Sequence, residues 1–186
     1  LDPLATGLLI VCAGKATKRI DTIQADDKRY TGTITLGART PSYDLETAPV
    51  PVANPASLTL EDVQGAAATF VGEIKQIPPA FSAKKMDGET AYNLARAGVE
   101  VKMREATVRV NAFEITKKDG DQYRFEVTCS KGTYIRSLAH DLGQKLEVGG
   151  YLSSLRRTQS GAFSIEDAKQ VDEWVEYIRQ LPKIQM

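Results

Sequence analysis

The sequence of 186 residues predicts an α+β fold with a largely antiparallel sheet. Residues 106–116 and 122–129 alternate apolar and polar side chains on either side of Asp119-Gly120, which is typical of a β-hairpin. Helical patterns occur at irregular intervals among the strand patterns, so the regular strand–helix alternation of a parallel sheet is missing. Hydrophobic residues make up 42% and charged residues 26%, as in ordinary globular domains, and the length fits one domain.

The first third of the chain predicts few regular elements. The apolar run 8–12 indicates a buried strand or the start of a buried helix, and so short a run does not distinguish them. Residues 28–36 are rich in β-branched side chains and alternate, which predicts a strand that Gly37 ends. Four prolines within residues 38–57 indicate a long surface connection.

The middle third begins with a helix. Residues 59–62 resemble a capping box in which Asp62 replaces the usual Glu, and Gly72 is expected to stop the helix. Its predicted apolar face comprises Leu60, Val63, Ala67 and Phe70. The next strand cannot continue as a central strand beyond Ile77, because prolines donate no ladder hydrogen bond. A turn at Asp87-Gly88 and a short helix over 89–97, closed by Gly98, follow.

The last third predicts one buried strand face, formed by Tyr123, Phe125, Val127 and Cys129. A tight turn over 130–133 leads into a helix from about Tyr134, on which Leu138, Leu142 and Leu146 recur. Residues 152–163 indicate a closing strand, or a short helix and a strand. Ser164 is expected to cap a last helix with an apolar face of Val171, Trp174 and Ile178, and Tyr92, Tyr134 and Trp174 are expected to be packing residues.

Composition restricts the function. The 24 basic and 24 acidic residues give a net charge of zero, which argues mildly against a nucleic-acid partner unless the basic residues cluster. Two cysteines and one histidine without ligand spacing argue against a zinc site, and we predict buried free thiols at Cys12 and Cys129 in a reducing, cytoplasmic compartment. No export signal and no apolar run of about 20 residues is visible, so we expect no membrane partner.

Four segments carry candidate chemistry. Asp2 lies in a turn bounded by Pro3 and Gly7, where a carboxylate is either an accessible reactive group or simply a turn stabiliser. The other three are the strand opening 28–30, the turn–helix junction 130–138 with its early Arg136, and the basic stretch that begins at Leu155.

Together these segments resemble the TruB-type tRNA pseudouridine synthases. The matching stretches, in the family's order, are residues 1–9 (without the leading Thr of the signature), 28–37, 76–98, 130–143 and 155–163. The resemblance implies a pseudouridine-synthase fold, in which a mixed, mostly antiparallel sheet is flanked by helices. It also implies one catalytic domain over 1–186 with an RNA-gripping insertion at about 76–104. Relative to the family pattern, the N-terminal strand and helix, the Gly-His loop and a C-terminal RNA-binding domain are not expected within this sequence.

The resemblance assigns roles to five residues. Asp2 is the expected catalytic carboxylate, acting as nucleophile or base. Arg136 is its expected partner, in a bidentate contact that fixes the direction of the carboxylate, unless Arg136 contacts a phosphate instead. Tyr30 would stack on a flipped uracil, although tyrosine is also common in strands. Leu155 and Lys28 are expected at the substrate pocket, where Leu155 is equally compatible with the core.

The expected substrate is tRNA, bound through its T-arm by a monomer without a cofactor. The expected RNA-binding residues are Lys15, Lys18, Arg19, Pro78, Pro79, Lys84, Lys85 and Lys131. The alternative is that these lysines and arginines are ordinary solvated surface residues. His140, the sole histidine, is interpreted as a structural helix residue, because nothing in the reaction requires it as a base.

Three other functions fit parts of the pattern. A non-catalytic RNA-binding module would keep the basic residues without needing Asp2. An RNA-chaperone activity is compatible with catalysis and would accompany it. A carboxylate-based hydrolase would require a second acid, such as Asp44, to converge on Asp2, and no sequence spacing argues for that.

Overall fold

A computed structural model describes residues 2–82, 84–86, 88–99, 101 and 103–181. The strands are β1 (Thr6–Gly7), β2 (Lys28–Leu36), β3 (Ala38–Arg39), β4 (Val50–Pro51), β5 (Gly72–Gln76), β6 (Lys85–Met86), β7 (Glu89–Thr90), β8 (Ala106–Asp119), β9 (Gln122–Cys129), β10 (Gly150–Ser160) and β11 (Phe163–Ser164). The α-helices are α1 (Ile20–Ala25), α2 (Leu60–Ala68), α3 (Ala91–Arg96), α4 (Ile135–Lys145) and α5 (Val171–Gln180). Two 3₁₀ helices span Gly14–Arg19 and Ile165–Asp167.

The main sheet has seven strands in the order β1-β10-β2-β9-β8-β5, and β11 pairs with β10. The two-residue pair β1–β10 is parallel, and the other described pairs of this sheet are antiparallel. β8 and β9 form the predicted hairpin, with Gly120 at its tip in the left-handed region (φ 62°). The predicted mixed, mostly antiparallel sheet is therefore confirmed.

The core lies between one face of this sheet and the helices α2 and α4. The predicted alternation of β9 is confirmed, because Tyr123, Phe125, Val127 and Cys129 are all at most 1% exposed. Leu138 and Leu142 of α4 are fully buried against them. The most buried part of the chain thus includes the helix that carries Arg136 in its first turn.

The predicted capping box begins α2. The Thr59 hydroxyl accepts a hydrogen bond from the backbone N–H of Asp62 (3.1 Å), and the Asp62 carboxylate accepts one from the backbone N–H of Thr59 (2.8 Å). Val63 and Ala67 of the predicted face are buried, whereas Leu60 is 37% exposed. The helix ends at Ala68, four residues before the expected stop at Gly72.

The segment between β5 and β8 leaves the sheet, although these two strands are hydrogen-bonded neighbours. Its described part contains the small β6–β7 hairpin and α3, which Gly98 follows with a φ of 75°. Asp87 of the predicted turn lies outside the described residues, and Gly88 has a φ of 93°. Pro78 and Pro79 are buried at the base of the segment.

The expectation of a buried element over 8–12 is wrong. Leu8 is buried, but Val11 is 82% exposed, and residues 8–13 form no helix or strand. The reason is that β1 pairs with β10 for only two residues, after which the chain leaves the edge of the sheet. Cys12, expected to be a buried thiol, is partly exposed, whereas Cys129 is buried.

The C-terminal end also departs from the prediction. Ser164 caps the 3₁₀ helix Ile165–Asp167, and α5 begins separately with a capping box between Gln170 and Glu173. The apolar face of α5 is exposed: Val171 is 78%, Trp174 45% and Ile178 60% accessible. Trp174 therefore is not the packing residue we expected. None of the described helices is long and apolar enough to span a membrane.

Candidate active site

Asp2 is held at the edge of the sheet by a tight turn and by β1. The backbone N–H of Ala5 donates to the carbonyl of Asp2 (2.9 Å), which closes the turn around Pro3. Gly7 then has a φ of 99°, and a Cβ there would lie 2.3 Å from the carbonyl oxygen of Arg157 on β10. Only glycine fits at this position, so the residue type fixes how closely the Asp2 turn docks on β10.

Arg136 holds the Asp2 carboxylate by two contacts. Nη2 of Arg136 donates a hydrogen bond to Oδ1 of Asp2 (2.9 Å), and Nε lies 2.8 Å from Oδ2. The Arg136 side chain is 4% exposed, whereas that of Asp2 is 34% exposed. The carboxylate is thus oriented by a buried guanidinium on one side and open to solvent on the other.

Asp44 contacts the remaining edge of the same guanidinium. Its Oδ2 lies 3.4 Å from Nη1 of Arg136, and that nitrogen also donates to the carbonyl of Ser42 (3.3 Å). Oδ1 of Asp44 accepts a hydrogen bond from the backbone N–H of Glu46 (3.0 Å). From the sequence we considered Asp44 only as the second acid of a hydrolase, and no pattern indicated it as a partner of Arg136.

A small cavity opens beside this cluster. Its lining residues are Asp2, Leu4, Ala5, Asp44 and Leu152 to Leu155. Leu155 is 9% exposed and belongs to the core cluster, so it is a core residue and a cavity wall at once. The two carboxylates do converge here, but both contact the same arginine, and the Asp44 side chain is only 7% exposed. Of these two acids, Asp2 is the one that combines fixed direction with access to a ligand.

Tyr30 lies on the core face of β2, close to Leu155. It pairs with Arg157 in the antiparallel register, and Gly32, two residues on, pairs with Leu155. A Cβ at Gly32 would lie 2.3 Å from the carbonyl oxygen of Ser154 and 2.8 Å from the Phe125 ring, so glycine lets the Phe125 ring pack directly on β2 between Tyr30 and Ile34. Burial, and to a smaller extent the Asp2 charge, raises the pKa of the Tyr30 phenol, which therefore stays protonated at neutral pH.

Lys28 is not brought to this cavity. It lies at the start of β2, opposite Ser160, and its ammonium donates to the backbone carbonyls of Gln24 (2.6 Å) and Asp26. Burial lowers the pKa of the amine. Its contacts are those of a lysine that closes the α1–β2 connection, and its expected role at the substrate pocket stays a prediction.

The expected RNA-binding residues occupy several surfaces. Lys15, Lys18 and Arg19 are exposed on the 3₁₀ helix Gly14–Arg19, and Lys131 is exposed in the turn before α4. Lys84 is partly exposed, and the side chain of Lys85 in β6 lies outside the described residues. Pro78 and Pro79 are buried, so they shape the base of the insertion rather than offering a surface to RNA.

Gln76 is a buried polar residue near the site for which the sequence predicted no role. Its Nε2 donates to the carbonyl of Tyr134 (3.1 Å), and its Oε1 accepts from the backbone N–H of Tyr134 (2.8 Å). The Ser137 hydroxyl donates to the carbonyl of Ile77 (2.8 Å). The base of the insertion is therefore bound to the first turn of α4, next to Arg136.

Comparison with known proteins identifies the family of this chain. The description "TruB family pseudouridylate synthase (N terminal domain)" matches residues 1–135, and "tRNA pseudouridylate synthase B C-terminal domain" matches residues 136–180. The chain belongs to the TruB family. A relative named tRNA pseudouridine synthase B from Bacteroides fragilis is 47% identical over 180 residues, which cover 97% of this chain and 77% of the relative. The protein of the same name from Chloroherpeton thalassium is 46% identical over 179 residues, covering 96% and 74%.

Solved structures show the same fold. A chain of a Cbf5–Nop10–Gar1 complex superimposes with a TM-score of 0.72 at 29% identity, over 96% of this chain and 44% of the other. A chain of an H/ACA ribonucleoprotein bound to a substrate RNA containing 2′-deoxyuridine gives 0.68 at 26%, over 96% and 42%. The family resemblance and the pseudouridine-synthase fold expected from the sequence motifs are confirmed.

Proposed function

We propose that this TruB-family protein converts the uridine at position 55, in the T-loop of tRNA, to pseudouridine, with Asp2 as its catalytic carboxylate. The observation that carries the proposal is the Asp2–Arg136 pair, in which a buried guanidinium directs a partly exposed carboxylate into a cavity. Relatives over 40% identical across most of the chain carry the name tRNA pseudouridine synthase B, which supports tRNA as the substrate.

The reaction is an isomerisation in which atoms and electrons balance within the substrate. The bond from the ribose carbon to N1 of uracil breaks, the uracil turns, and the ribose carbon bonds to C5. The C5 proton leaves, and N1 gains a proton. Nothing is oxidised and no group arrives from outside, so the chemistry itself requires no redox cofactor.

Asp2 serves this reaction in one of two ways. Its carboxylate either attacks the nucleoside covalently or removes a proton from the sugar. Both routes require a carboxylate oxygen of Asp2 to keep one direction while the nucleoside rearranges beside it. The two contacts of Arg136 supply that fixed direction, which favours the transition state over free substrate.

The uracil must leave the folded T-loop to reach Asp2. Extruding a base costs a few kcal/mol of lost stacking, which contacts in the pocket have to offset. Tyr30 offers an aromatic face worth roughly 1–3 kcal/mol of stacking, and Leu155 an apolar wall. The exposed Lys15, Lys18 and Lys131 offer charges for phosphates, and the segment at about 76–104 would grip the RNA.

We further propose that the chain forms one catalytic domain that acts on the T-arm as a monomer in the cytoplasm. The unpaired, buried thiol of Cys129 agrees with a reducing compartment.

Tritium release tests the function. tRNA is transcribed with tritium at C5 of its uridines, and tritium in water is counted after incubation with the protein or with its Asp2→Asn variant. The proposal expects release of one tritium per tRNA by the first and none by the second, with RNA affinity unchanged. A transcript with cytidine at position 55 should release none, which checks the position.

Three results contradict parts of the proposal. Equal release by both proteins would remove Asp2 from the chemistry. Tight RNA binding without release by either would support the non-catalytic module instead. Parallel loss of binding and turnover in Asp2→Asn would show that Asp2 acts in substrate grip rather than in the transition state.

A further inference from the structure

Tyr43 has a left-handed backbone conformation in the loop that contacts Arg136. It lies between Ser42 and Asp44, the two residues that contact Nη1 of Arg136, and its φ is 64°. The left-handed region is unfavourable for a residue with a Cβ. Such a conformation persists only where surrounding contacts enforce it, and it then points to a functional constraint.

An aromatic stack enforces this conformation. The rings of Tyr43 and His140 lie 3.8 Å apart between centroids, with an angle of 13° between their planes. The backbone of Tyr43 is fixed as well: its N–H donates to the carbonyl of Thr40 (3.2 Å), and its carbonyl accepts from the N–H of Leu152 (2.9 Å). Both the ring and the peptide groups of Tyr43 are thus held.

The stack and the ion pair lie side by side. Tyr43 and Asp44 are consecutive in the loop, and they contact His140 and Arg136, which are one turn apart on α4. Residues four apart on a helix project from the same face, so the loop is bound to α4 at two adjacent points. Neither Tyr43 nor His140 lines the cavity beside Asp2.

We propose that Tyr43 and His140 are positioning residues for the reaction proposed above. Their stack holds the loop in the left-handed turn that presents the Ser42 carbonyl and the Asp44 carboxylate to Arg136. The guanidinium, fixed on that edge, keeps its other edge directed at Asp2. The lone histidine of the chain therefore acts through packing and transfers no proton.

Loss of the stack has a defined consequence. Without the His140 ring, Tyr43 is free to return to a negative φ, which moves the Ser42 carbonyl or the Asp44 carboxylate away from Nη1. Arg136 then loses its second anchor, and the direction of Asp2 is no longer fixed. The effect falls on the chemical step and not on RNA binding, since neither residue of the stack belongs to the 3₁₀ helix Gly14–Arg19 or to the turn before α4, which carry the exposed basic residues expected to bind RNA.

The first test measures kcat and KM for tritium release from tRNA, together with RNA affinity. His140→Ala keeps a good helix former and removes the ring, and we expect kcat to fall about 10- to 100-fold. KM and RNA affinity should stay within about twofold, since phosphate contacts fix binding. His140→Phe and Tyr43→Phe retain the stack and should retain most of kcat. Tyr177→Ala, on the exposed face of α5, is the matched control.

Two outcomes of this test overturn the proposal. If His140→Ala keeps the kcat of the wild type, the stack does not position the site. If His140→Phe falls as far as His140→Ala, the imidazole itself is required and the packing role is wrong.

The second test does not depend on activity. Free energies of unfolding in urea are measured for the wild type, His140→Ala, Asp44→Asn and the double variant. We expect the double variant to lose clearly less free energy of unfolding than the two single variants lose together, because both substitutions release the same loop. Additive losses overturn it. If the wild type releases no tritium, the proposed function is refuted. The unfolding energies of the four proteins would still decide whether the Tyr43–His140 stack and the Asp44–Arg136 ion pair act together.

Discussion

Asp44→Asn would show how the buried Arg136 is held, because the substitution keeps the side-chain volume and removes one charge. Oδ2 of Asp44 faces Nη1 of Arg136 at 3.4 Å, and Oδ1 accepts from the backbone N–H of Glu46 at 3.0 Å. An amide has one acceptor oxygen, and its NH₂ group can only donate. Whichever way the new amide is turned, its NH₂ group faces one of these two donors, so one of the two contacts is lost.

The size of the effect follows from burial. The side chains of Arg136 and Asp44 are 4% and 7% exposed, so water does not replace the lost contact. A hydrogen bond to a charged group contributes about 1.5–3 kcal/mol, and we expect Asp44→Asn to lower the free energy of unfolding by about 2–3 kcal/mol. Asp2 is 34% exposed, so Asp2→Asn should cost only about 1 kcal/mol of stability.

Turnover should rank the two variants in the opposite order. Asp2→Asn removes the group that reacts and should abolish tritium release, whereas Asp44→Asn disturbs only the orientation of Arg136 and should slow release about 10- to 100-fold. The assays are urea denaturation with comparison of midpoints and m-values, and single-turnover tritium release. The reasoning is refuted if Asp44→Asn is as stable as the wild type, or if stability and turnover rank the variants alike.

Three further predictions test the fold around the site. Gly7→Ala should lower the free energy of unfolding by about 2–4 kcal/mol, because the added Cβ would lie 2.3 Å from the backbone of β10 at a residue that already has a positive φ. Gly72→Ala, at a positive φ with open space around it, should cost about 1–2 kcal/mol in the same thermal melt, and equal losses for the two variants would contradict the clash. Gln76→Leu leaves the backbone N–H and carbonyl of Tyr134 without their side-chain partner and should lower the free energy of unfolding by about 2–4 kcal/mol. An unchanged melting temperature would show that these two hydrogen bonds do not stabilise the fold. Burial raises the pKa of the Asp141 carboxyl from 3.8 to about 6 in the folded state, because the buried site favours the neutral form. The folded state therefore loses stability as pH rises from 3.8 to about 6 and the carboxyl ionises. Asp141→Asn should therefore be more stable than the wild type at pH 7 by about 1 kcal/mol, a figure reduced for partial exposure, and urea titrations at pH 4 should show no difference.

The sequence predicts those elements whose pattern is local. The alternation over 122–129 and the capping box at Thr59 each depend on side chains a few residues apart, and the structure has both. The prediction of a buried element over 8–12 was wrong because five apolar residues are too few to show a period. The conformation there depends on the two-residue pairing of β1 with β10, which no local pattern indicates. The apolar face of α5 was predicted correctly as a pattern, but a pattern does not say whether anything covers it.

The site was predictable only in part, for a related reason. Asp2 and Arg136 were found through a resemblance that spans the chain, and no local pattern joins residues 134 positions apart. Asp44 lies in a proline-containing connection without periodicity, and its place beside Leu152 is set by an isolated bridge to β10. Tyr43 could not be recognised at all, because its left-handed backbone depends on a stack with His140, on a helix far along the chain.

The geometry of arginine explains why these segments must meet at one residue. A guanidinium is planar and presents donors along two separate edges, whereas a lysine ammonium is a single point charge. In Arg136 one edge meets Asp2, and the other meets Asp44 and Ser42. Because the second edge is occupied by buried groups, the plane of the guanidinium cannot rotate when substrate approaches the first. The exposure of the three side chains, 4%, 7% and 34%, then leaves Asp2 as the one charged group of the cluster that can meet a nucleoside while its direction is fixed from behind.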